Sequence, residues 1–166
     1  MGWGALAELR DEVGPRGPVH SAEKLVDWFG APSFVVGYTH HPYRERLLGA
    51  LSLLGARQAV AVRGLEGSDV LRPGRPVADV AAGPLELPEQ LGDAIAPAPG
   101  AEASAALTRA ALAGGAGRVV EAAVTLSAGV RLFAAGVAPT PLRGASAGRA
   151  AIADGRAAAV LDAMVG

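Results

Sequence analysis

Residues 34–73 carry the pattern strand, helix, strand within about 30 residues, a spacing that few folds accommodate. Phe34, Val35 and Val36 form an apolar run short enough for a buried strand. Residues 37–42 follow as a loop with two adjacent histidines, His40 and His41. Over 43–54, Leu47, Leu48, Leu51 and Leu54 recur at the spacing of one helix face, and Gly55 stops the helix. Residues 59–62 read as a second strand. Strands joined by a helix pair in parallel. The loops leaving their C-terminal ends, 39–41 and 64–69, should then share one edge of the sheet, where open α/β sheets hold ligands. The class expected is α/β: a central, mostly parallel sheet flanked by helices, with a helical C-terminal segment.

The rest of the chain fits around that unit. Residues 1–13 can form a helix with Trp3, Leu6 and Leu9 on one side, broken by Gly14 and Pro15. A second helix is expected over 19–29, with Ser21 as N-cap and Leu25, Val26, Trp28 and Phe29 facing inward. Short strands are expected at 77–80 and, on an edge, at 85–87. Helices are expected over 101–113, over 117–135 (apolar nearly all round, hence buried) and over 142–164 with a break at Asp154 and Gly155. The chain reads as a single α/β domain over 1–166, with a helical lead-in at 1–30, a crossover sheet region at 31–94 and a helical region at 101–166.

Composition narrows the function. Fifteen Lys and Arg against 16 Asp and Glu give a net charge of −1, which argues against a general nucleic-acid surface but leaves room for a local basic patch. Cysteine is absent, so disulfides and thiolate metal sites are excluded. Neither a signal peptide nor an apolar run near 18 residues is visible, so a soluble, cytoplasmic protein with no membrane partner is expected.

Few residues carry a chemical signal. Asp69 sits in a Gly-rich loop after a strand; it can offer an oxygen ligand to magnesium beside a phosphorylated ligand, or simply cap the turn. His41, beside His40, can serve as an acid or base, or stay solvated. Arg16, His20 and Lys24 recur every four residues, which suits either an anion site near a helix start or a solvated basic edge. No Walker loop, G-x-G-x-x-G after a strand, or G-x-S-x-G is present.

The order of segments nevertheless has a likeness. Residues 43–73, LELPEQLG at 85–92, RVVEAAVTLSAGVRLFAAGVA at 118–138 and GRAAIADGRAAAVLDAM at 148–164 resemble, in sequence, the C-terminal part of anthranilate phosphoribosyltransferases. That family carries a strand ending in G-x-x-G-x-D-E, an L-x-P-E-D-L-G stretch and two Ala-rich helices in the same order. PRGPVHSAEKL at 15–25, VGYTHHPY at 36–43 and RGLEGSD at 63–69 resemble a divergent branch, some members of which are associated with nucleic-acid binding.

The resemblance implies a fold of a small helical domain plus an α/β domain, usually homodimeric. It implies that Arg16 faces an aromatic acceptor, that Asp69 is the first acid of a magnesium-binding pair, and that His20, Lys24 and His41 line the anion side. Val70 stands where the second acid belongs, and the G-T-G-G-D loop that cradles pyrophosphate is absent. The implied function is a truncated or split phosphoribosyl or glycosyl transferase-like domain. It would use a phosphoribosyl pyrophosphate-type donor and need a complementary N-terminal-half subunit. The alternative is a non-catalytic member of the fold that binds a protein, or binds nucleic acid through Arg16, Lys24, Arg44, Arg46 and Arg63.

Overall fold

The computed structural model of the chain describes residues 12, 14, 18–87 and 99–165, which fall into two compact units, Met1–Gly30 and Ala31–Gly166. The first unit holds α1 (Pro18–Glu23). Proline at the first helical position lacks only an N–H that would have had no partner. The helix expected over 19–29 is thus shorter, and Ser21 lies inside it rather than at its cap. Beyond Glu23 the chain turns: Leu25 N–H bonds to Ala22 O, and Asp27 Oδ1 accepts from Phe29 N–H at 3.1 Å. Trp28 and Phe29 do not face inward; they are 60% and 94% exposed. Of the helix expected over 1–13, only Glu12, which is helical, lies among the described residues.

In the second unit, β1 (Ser33–Gly37), α2 (Pro42–Leu53) and β2 (Gln58–Val62) form the crossover, and the strands pair in parallel from Ser33 opposite Gln58 to Gly37 opposite Val62. Leu47, Leu48 and Leu51 are the buried face of α2, which packs against β2. Leu54 caps the helix instead of extending its face and is exposed.

Two further strands, β3 (Ala78–Val80) and β4 (Gly83–Pro84), complete a four-stranded sheet in the order β1-β2-β3-β4. Both join antiparallel. The sheet is therefore mixed, parallel only at β1–β2, because no helix intervenes after β2 to carry the chain back to the starting edge. Pairing at the edge falls on Gly83 and Pro84 rather than 85–87. Leu85 N–H still bonds to Ala78 O at 2.8 Å, and Leu85 and Leu87 pack against the core as half-buried side chains.

The C-terminal helices are α3 (Ala101–Leu112), α4 (Arg118–Ala134), α5 (Pro141–Ala153) and α6 (Arg156–Val165), broken at Asp154 and Gly155 as the sequence suggests. From α4, Leu126, Val130 and Ala134 join Val60, Val62, Leu71 and Ala78 in the core. Val60 and Val62 alternate with Ala61, which is buried on the opposite face of β2. Along α5, Gly144 lies against Gly129 of α4, so close that a Cβ on Gly144 would come within 2.6 Å of Gly129 O. The two helices cross backbone to backbone there. Among the described residues no helix is long and apolar enough to cross a membrane.

Candidate functional site

The parallel pairing brings the C-terminal ends of β1 and β2 to one edge, and the loops leaving them meet there as the sequence implies. Contact is backbone to backbone. A Cβ on Gly37 or Gly64 would run into the Ser68 carbonyl group, and one on Gly67 would strike Thr39 Oγ1. Gly67 also has φ +76°, where side chains are strained. The loop closes on itself: Gly64 bridges Leu71, and Leu65 N–H bonds to Val70 O at 3.0 Å. Leu71 is fully buried, and its N–H donates to Ser127 Oγ of α4 at 3.1 Å.

Asp69 is presented by this loop, half-buried, and it is not open. Arg131 of α4 donates from Nη2 to Asp69 Oδ2 at 2.6 Å and from Nη1 to Ser127 O at 3.2 Å. Magnesium needs several oxygen ligands. Here one carboxylate oxygen is already taken by a guanidinium, and Val70 follows. Among the described residues no group of three or more His, Asp or Glu side chains could hold a metal ion. The residues present do not fit the magnesium that the family resemblance implies at Asp69.

The same edge holds a buried polar cluster that the sequence did not flag. Tyr38, directly after β1, donates to Asp79 Oδ2 at 3.2 Å, and Arg44 Nη1 of α2 donates to Asp79 Oδ1 at 3.0 Å. Tyr38 and Asp79 are 2% and 4% exposed, so each holds the other's polar group out of water. A signal existed: an acid between Ala78 and Val80, in an otherwise apolar strand, needs a buried partner. Burial, then the charge of Asp79 and its hydrogen bond, push the Tyr38 phenol above its ordinary value. The sign follows: the unfolded phenol ionises near pH 10 while the folded one stays neutral, so stability is intact below that and falls as pH rises beyond it. Alkaline titration of the unfolding free energy should show this limb, and Tyr38→Phe should flatten it; an unchanged limb in the variant would assign the loss to other groups.

The other expected site residues fall in both units. Arg16 lies outside the described residues. His20 is in α1 and Lys24 in the turn after it, both in the first unit. His41 is exposed at the start of α2, in the loop that meets the Gly64–Leu71 turn. Of the arginines considered for nucleic acid, Arg44 is engaged by Asp79, Arg46 lies over the Tyr43 ring at 5.9 Å, and Arg63 is exposed.

Comparison with known proteins bears on this edge. An anthranilate phosphoribosyltransferase of Xanthomonas axonopodis pv. citri is 34% identical over 170 aligned residues, covering 96% of this chain and 49% of the relative. The crystal structure of anthranilate phosphoribosyltransferase (TrpD) from Thermus thermophilus superposes with a TM-score of 0.82 at 29% identity, over 94% of this chain and 49% of that one. Over nearly its whole length the chain is thus similar to one part of anthranilate phosphoribosyltransferases. An uncharacterised protein of Aquifex aeolicus is 35% identical over 71 residues, covering 43% of this chain and 23% of its own length. No family model matches the chain. The chain spans about half the length of the anthranilate phosphoribosyltransferases it matches. The likeness agrees with the α/β class and supports a transferase-like domain.

Proposed function

We propose that the chain forms one half of a phosphoribosyltransferase-like site, acting on a phosphoribosyl pyrophosphate-type donor and an aromatic or small acceptor together with a complementary half. The observation that carries this is likeness to anthranilate phosphoribosyltransferases along nearly the whole chain, with the two crossover loops meeting at one sheet edge. Transfer of this kind relies on anchoring the pyrophosphate and on placing charge where the oxocarbenium-like transition state develops. In this reading Arg16 faces the acceptor, and His20, Lys24 and His41 line the anion side. The pyrophosphate cradle comes from that complementary half, since the G-T-G-G-D loop is absent from these 166 residues. Any magnesium that travels with such a donor takes its oxygen ligands from that half or from the donor itself.

Calorimetric titration with phosphoribosyl pyrophosphate tests the reading. Weak binding is expected for the chain alone, strengthening by at least about tenfold when a chain carrying a G-T-G-G-D loop is added, and falling by about as much in His41→Ala, on the scale of one lost charge-assisted contact. Absence of heat at millimolar donor, with and without the added half, would reject it.

A further inference from the structure

We infer that Arg131 fills, at Asp69, the position a divalent cation would take, so that this edge is ordered and its carboxylate neutralised without metal. The inference concerns ion occupancy and does not rest on which donor or acceptor the edge takes. Three observations converge on it. Arg131 Nη2 meets Asp69 Oδ2 at 2.6 Å, the short distance of a charge-assisted bond. The guanidinium is steadied from behind by Ser127 O at 3.2 Å, one turn earlier on the same helix. The loop bearing Asp69 is fixed independently of any ion, through Leu71 in the core and its N–H on Ser127 Oγ.

Charge makes the exclusion effective. A carboxylate and a guanidinium sum to zero, leaving no net attraction for a cation. An incoming divalent ion would have to displace that short hydrogen bond or bind the other oxygen, and in either case sit within a few ångströms of a positive group that cannot lose its proton. Val70, the next residue, is 37% exposed and supplies no oxygen from its side chain. The pair itself is about half exposed on both sides, so its weight in global stability is small. Its effect is local, on what Asp69 can bind.

Manganese, a paramagnetic stand-in for magnesium, tests this on the full chain. In the unmodified protein, amides of 68–71 should show no saturable broadening at about 1 mM Mn²⁺, a level at which a two-carboxylate site fills. Val70→Glu adds a second carboxylate beside Asp69 but keeps Arg131, and should bind at least about tenfold more weakly than the double variant Val70→Glu/Arg131→Gln. Saturable broadening in the unmodified chain would overturn the inference, as would equal affinity of the single and double variants or absence of binding in the double variant. A second measurement needs no substitution. Hydrogen exchange at the Leu71 amide should be the same in chelator and in magnesium, and a change beyond about threefold would show that a metal orders the loop after all.

Discussion

Gly144→Val should be the most damaging single substitution in the helical half, lowering stability by about 3 kcal/mol or more. A Cβ at that position comes within 2.6 Å of Gly129 O, 2.9 Å of its Cα and 3.1 Å of its carbonyl carbon. These are backbone atoms in the middle of α4, so no side chain can rotate away. The helices must separate, which uncovers the buried Ala145 that lies against Gly129 at the crossing. Gly49→Ala is the matching control. Gly49 lies inside α2 with nothing within 4 Å of its would-be Cβ, so alanine should stabilise by up to about 1 kcal/mol through helix propensity alone. Urea unfolding of both variants decides the matter. Destabilisation of similar size in both would mean that glycine-to-larger changes act through something other than the α4–α5 crossing.

Asp79→Ala should cost about 2–3 kcal/mol, because it leaves a buried donor, Tyr38, and a partly buried one, Arg44, without their acceptor. Tyr38 is almost wholly buried and its hydroxyl hydrogen bond is to Asp79. Arg44 already has a buried Nε with no hydrogen-bond partner, so the loss of Asp79 leaves its guanidinium held mainly by exposed Glu45. Adding Arg44→Met to Asp79→Ala should recover part of the loss, since the uncompensated charge then disappears. Chemical denaturation of the two single variants and the double gives the coupling. Strict additivity would mean that Arg44 and Asp79 do not support each other despite the 3.0 Å contact.

The elements that could be read from sequence were those with a local period. Leu47, Leu48 and Leu51 mark α2 because residues three and four apart share a helix face, and the apolar runs around Val35 and Val60 mark the paired strands. The meeting of the two loops followed from parallel pairing alone. What escaped was long in sequence or short in structure. Asp69 and Arg131 are 62 residues apart and Tyr38 and Asp79 are 41 apart, so no window joins them. The short strand expected at 77–80 is β3, but β4 is too short for alternation to show, and the antiparallel return depends on a turn at 81–82 that has no marked turn residues. Trp28 and Phe29 misled for a different reason: aromatic residues suggest a core, but an Asx turn at Asp27 redirects the backbone before they can line one. Asp69 stands out in the sequence and Arg131 does not, because a carboxylate in a glycine loop is visible locally and its counter-ion is not.

The glycines where the loops cross have a thermodynamic consequence for recognition. Gly37, Gly64 and Gly67 let three backbone segments lie in van der Waals contact, and no substituent fits between them. A loop held that way has surrendered its freedom during folding. A ligand arriving at this edge therefore meets a surface whose ordering entropy is already spent, and more of its contact energy is expressed as affinity. The same crowding makes the edge unforgiving: its specificity can be altered by exchanging the side chains that project from it, but not by reshaping the turn beneath them.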